Sequence, residues 1–123
     1  MTVTGPDFLA LQVRDLDRAA EFYETHLGLR RLPANPPGAV VFDTTPISFA
    51  VREPLPGTDL DAAYPHPGSG VALWLHSDDA QALHDRMVGA GTPIVTAPFD
   101  GPFGRTFVFA DPDGYAITIH DKA

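Results

Sequence analysis

Aromatic and imidazole side chains alternate along one short segment, and a second histidine stands near the end of the chain. Trp74 and His76 lie two residues apart in "VALWLH", and His120 ends "YAITIH". An unperturbed imidazole titrates at about pH 6.5, so either histidine is a candidate general acid or base. Hydrogen bonding at the rim of a site and plain surface exposure are the alternatives. The indole offers a stacking surface to an aromatic molecule, with core packing as its alternative role.

Acidic side chains outnumber basic ones by 16 to 8, which gives a formal net charge of −8. A surface of this sign repels phosphate backbones, so nucleic acid is not an expected partner. It would attract cations and cationic ligands, although acidity also serves solubility alone. Five aspartates could attract a cationic ligand, and their alternative role is ordinary helix capping and turn formation. They are Asp59, Asp61, Asp78, Asp79 and Asp100.

Several kinds of site are missing from the sequence. There is no cysteine, which removes disulfides, thiolate metal sites and cysteine nucleophiles and fits a cytoplasmic protein. No serine or threonine stands in a nucleophile motif, and no glycine-rich phosphate loop precedes a helix.

No apolar run approaches the roughly 20 residues of a membrane span, and the first residues do not resemble a signal peptide. We therefore expect a cytoplasmic protein without a membrane partner.

The elements that must position these side chains follow from apolar periodicity. Helices are predicted over residues 15–28 and 78–90. The expected N-cap is Asp15 or Asp17 for the first and Asp78 or Asp79 for the second, and Gly28 and Gly91 are expected to end them. Asp111, Asp113 and Gly114 read as a hairpin turn rather than a catalytic motif. The predicted strands are Phe8–Val13, Leu29–Leu32, Ala39–Asp43, Ile47–Arg52, Val71–His76, Ile94–Ala97, Arg105–Ala110 and Tyr115–His120.

Alternation assigns a face to each side chain of the strand at 71–76. Val71, Leu73 and Leu75 are expected to face the helices, which leaves the opposite face to the alternate residues. We therefore expect Trp74 to lie with His76 on the open side of the sheet. Phe8 is placed on the open side of its own strand by the same argument.

A proline-, glycine- and aspartate-rich loop over residues 53–70 separates two similar halves. Loops of this length in a compact domain are commonly functional, which makes Tyr64 and His66 candidates for ligand contact. Each half reads as a strand, a helix and three strands, over residues 7–52 and 71–120. The repeat is one of architecture, with little residue identity.

Three segments resemble one known family over nearly the whole chain. "FLALQVRDLDRAAEFYETHLGL" resembles the opening of vicinal oxygen chelate proteins, the superfamily of glyoxalases, bleomycin resistance proteins and extradiol dioxygenases. "GVALWLHSDDAQALHDRMVGAGTPIV" resembles the start of the second module, and "GRTFVFADPDGYAITIHD" its closing hairpin. The resemblance implies an α+β fold: two βαβββ modules forming an open, cleft-bearing half-barrel sheet in a single domain, 1–123. It also implies a homodimer with clefts completed by the partner chain.

The family's enzymes hold one divalent metal with histidine or glutamate from four strands, so the resemblance identifies four positions to inspect. The first position holds Phe8, and the second holds Ser48 or Ala50. The third falls on Ala72, or on Val71 if the register is one residue out, and the fourth on Thr118. Phenylalanine and alanine have no donor atom, and an open catalytic site usually needs three protein ligands. We therefore expect no metal and no cofactor.

The residues expected to line the cleft combine small side chains, aromatic rings and a few polar groups, as in pockets for bulky, partly aromatic molecules. The expected ligand-binding set is Phe8, Ala10, Gln12, Ser48, Ala50, Tyr64, His66, Ala72, Trp74, His76, Thr118 and His120; Ala116 shares the same face.

Two main functions remain open. The first is metal-independent sequestration of a toxic natural product, such as a bleomycin-, mitomycin- or enediyne-type antibiotic, which would confer antibiotic resistance. The alternative is a metal-independent lyase, isomerase or cyclase in which His76 or His120 acts as the base. A structural or regulatory module with an empty cleft is a third possibility. The fold alone does not decide among them, because it hosts many activities.

Overall fold

The structure is a computed structural model that describes residues 2–122. The chain divides into two compact units, the first ending at Asp59 and the second beginning at Leu60. The module expected over residues 7–52 lies in the first unit, and the one over 71–120 lies in the second. The boundary falls inside the loop predicted over 53–70. That both modules form one domain stays a prediction.

The first unit contains one helix and a three-stranded sheet. Strand β1 (Phe8–Gln12) is followed by helix α1 (Leu16–Leu27), β2 (Ala39–Phe42) and β3 (Ser48–Arg52). The sheet order is β1-β3-β2, with β1 parallel and β2 antiparallel to β3. The crossover from β1 to the parallel β3 contains α1, as parallel neighbours require a long connection.

Helix α1 has clear signals at both ends. The carboxylate of Asp15 accepts a hydrogen bond from the backbone N–H of Arg18 at 3.1 Å, so Asp15, one of the two candidates, is the N-cap. Gly28 ends the helix with φ of 68°, a left-handed conformation that favours glycine. Between these ends, buried Tyr23 packs its ring against Phe49 and Phe42 at centroid distances of 5.1 and 6.2 Å. This aromatic cluster is the core of the first unit.

The predicted strand at Leu29–Leu32 is wrong. Only Arg31 forms an isolated bridge, opposite Phe42, and hydrogen bonds from Leu32 and Asp43 flank it. Pro33 and the later prolines supply no backbone N–H, so the pairing cannot extend. The Arg31 guanidinium instead binds Glu24 of α1 at 2.7 and 3.0 Å, and this hydrogen bonding lowers the pKa of the Glu24 carboxyl.

The second unit contains one helix and a four-stranded sheet. Its elements are β4 (Leu73–His76), α2 (Ala80–Gly89), β5 (Ile94–Gly101), β6 (Gly104–Ala110) and β7 (Ala116–His120). The sheet order is β4-β7-β6-β5, with β4 parallel to β7 and the other neighbours antiparallel. The combination of open sheets and two helices confirms the predicted α+β fold.

One face of the second sheet is covered by α2 and forms the core of this unit. Phe107, Phe109, Ile117 and Ile119 are all buried on that face. From the helix, Leu83 and Met87 are buried as well, as an apolar stripe facing a sheet requires. Asp79 caps α2 by accepting from the N–H of Ala82 at 3.0 Å, which agrees with one of the two predicted caps.

The turn between β6 and β7 is held by one carboxylate. Oδ1 of buried Asp111 accepts hydrogen bonds from the backbone N–H groups of Asp113 and Tyr115, at 2.9 and 3.0 Å. Gly114 has φ of 92°, which a residue with a Cβ rarely adopts. The structure therefore confirms the predicted turn role of "DPDG".

Two strand boundaries in the second unit differ from the prediction by more than one residue. Strand β4 begins at Leu73, because Val71 closes a turn by donating its N–H to the carbonyl of Gly68 at 3.0 Å. Val71 is exposed, so its predicted helix-facing role is wrong. Strand β5 continues to Gly101 through two register shifts and contains Pro98, which an edge strand tolerates.

Within residues 2–122, no helix is long and apolar enough to cross a membrane.

Candidate ligand-binding faces

The open face of the second sheet brings four of the predicted site residues together. Trp74 pairs with Thr118, and His76 pairs with His120, in the parallel register of β4 and β7. Paired residues point to the same side of a sheet. Their neighbours Ile117 and Ile119 are buried in the core, on the same side of the sheet as Phe107 and Phe109, so these four side chains occupy the opposite side. We call this surface the β4–β7 face: Trp74, His76, Thr118 and His120.

The rings on the β4–β7 face form a connected cluster. The His120 imidazole lies 5.9 Å from the Trp74 indole and 5.5 Å from the His76 imidazole, measured between ring centroids. Trp74 remains 45% exposed although it touches this neighbour. A flat, half-open indole bordered by nitrogen-bearing rings can stack on a planar molecule and offer it hydrogen bonds.

Phe103 belongs to this cluster and was missed by the sequence analysis. Its ring meets the indole of Trp74 at 5.3 Å and 63°, and lies 6.1 Å from the ring of His120. The side chain is 49% exposed, and the ammonium of Lys122 lies 5.9 Å from its ring centroid. Phe103 stands in the turn between β5 and β6, outside every strand. The only sequence signal that could have identified Phe103 was an aromatic residue next to Gly104 at the tip of a hairpin.

His120 has an unusual hydrogen-bonding environment. Its Nδ1 atom is buried without a partner, and no other buried side-chain nitrogen or oxygen within residues 2–122 is in that position. Three aromatic rings, those of Trp74, His76 and Phe103, lie around the imidazole. Such an atom calls for an explanation, because most buried polar groups in proteins have partners.

The first unit has an open face of its own. Phe8 pairs with Ser48, Ala10 with Ala50, and Gln12 with Arg52, so these residues share the side away from α1. Phe8 is 53% exposed and Ala10 is exposed, so both present surface to solvent. Ser48 is partly exposed. These three positions lie where the sequence analysis expected them.

Two residues predicted for this face are placed less favourably. Ala50 is only 1% exposed, so it offers no surface to a ligand. The side-chain oxygen of Gln12 accepts a hydrogen bond from the backbone N–H of Leu55 at 2.7 Å. Gln12 therefore anchors the chain that follows β3, a role that alternation along the strand could not indicate.

The remaining predicted residues lie outside the sheets. Ala72 is exposed and precedes the first residue of β4. Tyr64 is 90% exposed, and His66 Nδ1 lies 2.9 Å from the carbonyl oxygen of Pro67. Neither the Tyr64 ring nor the His66 ring stacks on another ring among the described residues. Ligand contact by these residues stays a prediction.

For Asp79 and Asp100, local interactions explain the carboxylate. Asp79 caps α2, and Asp100 forms an ion pair with Arg105 at 3.1 Å between an oxygen and a guanidinium nitrogen. Ordinary capping and pairing therefore account for these carboxylates without a cationic ligand.

The donor set does not fit the metal that the family's enzymes use. Across residues 2–122, no three side chains of histidine, cysteine, aspartate or glutamate gather so that they could hold a metal ion. Phe8 and Ala72 stand at two of the four expected ligand positions and carry no donor atom. A site with only serine or threonine hydroxyls at the remaining positions would lack the three strong ligands that an open catalytic site requires.

Comparison with known proteins gives a consistent picture of the family. Residues 5–119 match the Glyoxalase/Bleomycin resistance protein/Dioxygenase superfamily. The metallothiol transferase FosB of Lysinibacillus sphaericus (strain C3-41) is 27% identical over 123 residues, which cover 98% of this chain and 84% of that protein. The anthracycline biosynthesis protein DnrV of Streptomyces peucetius is 30% identical over 96% of this chain, but the match spans only 47% of DnrV.

Among solved structures, the fold resembles that of TnmS3, an antibiotic binding protein from Streptomyces sp. CB03234. The two share a TM-score of 0.76 and 24% sequence identity, and the match covers 100% of this chain and 99% of TnmS3. At that identity the likeness establishes the fold. The site residues of this chain must be argued from its own geometry.

Proposed function

The chain belongs to the Glyoxalase/Bleomycin resistance protein/Dioxygenase superfamily, and we propose that it binds and sequesters a bulky, partly aromatic small molecule without a metal. The ligand is a toxic natural product of the bleomycin, mitomycin or enediyne type. Binding it stoichiometrically in the cytoplasm would confer resistance. In this proposal both modules serve one domain, and two chains form a homodimer.

The observation that carries the proposal is the half-exposed aromatic cluster on the β4–β7 face. Trp74 and Phe103 leave about half of their surfaces open to solvent. Exposing two large aromatic rings together has a free-energy cost, and contiguous exposed apolar surface commonly marks a binding site. A planar aromatic ligand would cover both rings.

Metal independence is supported by the donor set. FosB is named a metallothiol transferase, so the similarity to it raises the question of a metal in this chain. The side chains of Phe8, Ala72 and Thr118 argue against carrying that chemistry over, because only the last has an oxygen to offer. Binding by stacking and hydrogen bonding needs none of the missing ligands.

The names of two similar proteins support the ligand class. TnmS3 is described as an antibiotic binding protein, and DnrV is named for anthracycline biosynthesis. Anthracyclines are planar polycyclic quinones, the kind of molecule that an open indole would stack on. The chain spans about half the length of DnrV.

A second candidate function is metal-independent catalysis on a similar molecule. The similarity to a biosynthesis protein favours it, together with the two histidines of the β4–β7 face, whose rings lie 5.5 Å apart. His76 is exposed and could accept a proton from a molecule stacked on Trp74. Turnover of a bound ligand would distinguish this candidate from sequestration.

A thermal-shift screen of aromatic antibiotics tests the proposed function. A ligand at 100 times its Kd adds about 2.7 kcal/mol of apparent stability, which raises the melting temperature measurably. We expect planar quinone antibiotics to raise it and non-aromatic antibiotics of similar mass to leave it unchanged. If no aromatic compound raises the melting temperature, the proposal is wrong.

A further inference from the structure

The two nitrogens of His120 stand in different environments. Nδ1 is buried and has no hydrogen-bond partner, whereas Nε2 is not buried in that way and makes no hydrogen bond to the described residues. Nε2 therefore has access to solvent on the β4–β7 face. Backbone pairing fixes the residue there, because β7 lies between β4 and β6 and pairs with both.

This asymmetry assigns the proton of the neutral imidazole. A neutral histidine carries one N–H and one lone pair, and which nitrogen holds the hydrogen depends on the surroundings. A buried N–H without an acceptor is rarer in proteins than an under-satisfied acceptor atom. The hydrogen therefore belongs on Nε2, where a ligand or water can accept it, and the lone pair belongs on Nδ1.

Building on the proposed function, we infer that Nε2–H of His120 donates a hydrogen bond to a carbonyl oxygen of the bound aromatic molecule. His120 lies 5.9 Å from the Trp74 indole and 6.1 Å from the Phe103 ring, so a planar ligand covering those rings brings its edge to the imidazole. The site then selects a ring system with an acceptor oxygen at its edge, as in a quinone. A hydrocarbon of the same shape would leave the N–H desolvated without an acceptor.

The same assignment separates the roles of the two histidines. With hydrogen on Nε2 and Nδ1 enclosed, neutral His120 presents no lone pair to a ligand and cannot serve as the base of the enzymatic alternative. His76 is exposed and keeps that possibility. His120 is therefore a specificity-determining hydrogen-bond donor.

Nitrogen-15 NMR of the ligand-free protein tests the tautomer directly. At a pH where His120 is neutral, long-range 1H–15N correlations distinguish a protonated Nε2 from a protonated Nδ1, and His120→Gln identifies the signals. We expect the hydrogen on Nε2. A hydrogen found on Nδ1 overturns the inference whatever the protein binds.

A matched pair of probes tests the hydrogen bond. 2-(Aminomethyl)anthraquinone and 2-(aminomethyl)anthracene share shape and charge, and only the first has carbonyl oxygens. Calorimetric titration should show tighter binding of the anthraquinone, by roughly 3- to 10-fold, the range of one neutral hydrogen bond. Equal affinities in the wild-type protein would overturn the inference and leave the proposed function standing.

Two variants locate the donor. The amide nitrogen of glutamine can take the place of Nε2, whereas that of asparagine lies nearer to Nδ1. We expect His120→Gln to keep most of the preference for the anthraquinone and His120→Asn to lose it. A preference retained in full by His120→Asn contradicts the inference. Failure of both probes to bind wild type would instead count against the proposed function, and the NMR result would still decide the tautomer.

Discussion

The ring of Phe103 meets the indole of Trp74 edge-on, at a centroid distance of 5.3 Å, although β7 separates the strand of Trp74 from the hairpin of Phe103 in the order of the second sheet. Trp74 lies on the edge strand β4, and Phe103 stands in the turn that joins β5 to β6. Strand β7 lies between β4 and β6, so this turn must reach across it. A hydrogen bond of 3.1 Å from the N–H of Lys122 to the carbonyl of Phe103 holds the turn there.

Replacement of Phe103 by alanine should weaken binding more than it weakens the fold. We expect affinity for a planar aromatic ligand to fall by roughly 3- to 10-fold, since an aromatic pair contributes about 0.5–1.5 kcal/mol beyond its burial. The free energy of unfolding should fall by clearly less than the ~3–5 kcal/mol typical of a core phenylalanine. Calorimetric titration and urea denaturation measure the two effects.

Phe107→Ala is the matched control for that variant. Phe107 is fully buried beneath α2, on the side of the sheet away from the proposed ligand. Its loss should therefore cost the full ~3–5 kcal/mol of unfolding free energy. If Phe103→Ala destabilises the protein as much as Phe107→Ala does, Phe103 is a core residue and not part of a binding surface.

Asp111 should contribute to stability and not to binding. Asp111→Ala removes the acceptor of two backbone N–H groups, so we expect the free energy of unfolding to fall by about 1.5–3 kcal/mol. Asp111→Asn keeps a carbonyl oxygen in the same place and should cost less. Urea denaturation gives both values, and a loss below about 0.5 kcal/mol for the alanine variant would show that the turn does not depend on this carboxylate.

The sequence predicted the faces of the strands well because alternation is a local property. Trp74, His76 and His120 lie on the open side of the sheet as their spacing required, and both helices end within two residues of their predicted bounds. In β4, Leu73 and Leu75 are less exposed than Trp74 and His76. This difference agrees with the prediction that the two leucines point towards the covered side of the sheet.

Contacts between residues distant in the sequence could not be predicted in this way. Phe103 joins Trp74 across 29 positions, and Gln12 binds Leu55 across 43. Neither pair leaves a periodic signal, because each depends on where a turn or a chain segment lies after folding. The prediction of a strand at Leu29–Leu32 was wrong for a different reason. The segment is followed directly by Pro33, so backbone pairing there is limited to the isolated bridge at Arg31.

The purified protein should hold no stoichiometric metal. Elemental analysis should find well below one transition metal per chain, and a chelator should leave the melting temperature unchanged. A metal bound by the folded chain would contribute several kcal/mol to folding, so its removal would be visible. About one zinc, nickel, iron or manganese per chain would contradict the metal-independent proposal.

Light scattering at micromolar concentration should report twice the chain mass. This expectation of a homodimer derives from the family, in which small two-module members complete each cleft with the partner chain. The aromatic surface proposed here would then border residues of a second copy. A monomer that still binds an aromatic ligand tightly would contradict the shared cleft and leave the role of Trp74 intact.

Trp74→Ala should reduce affinity by about tenfold or more, which corresponds to about 1.4 kcal/mol. The cost in unfolding free energy should stay below ~3–5 kcal/mol, because the side chain is already 45% exposed. Leu75→Ala is the matched control on the same strand, because Leu75 is less exposed than Trp74 and pairs with buried Ile119. That variant should lose stability and keep its affinity, the reverse of the pattern for Trp74.

Fluorescence titration of the single tryptophan tests the central claim most directly. Because Trp74 is the only tryptophan of the chain, any change in indole emission reports this position. Addition of a planar quinone antibiotic identified by the thermal-shift screen should quench the emission to saturation at one ligand per chain, and extraction should return the ligand chemically unchanged. Binding without any change in Trp74 emission, or recovery of a converted product, would contradict the account.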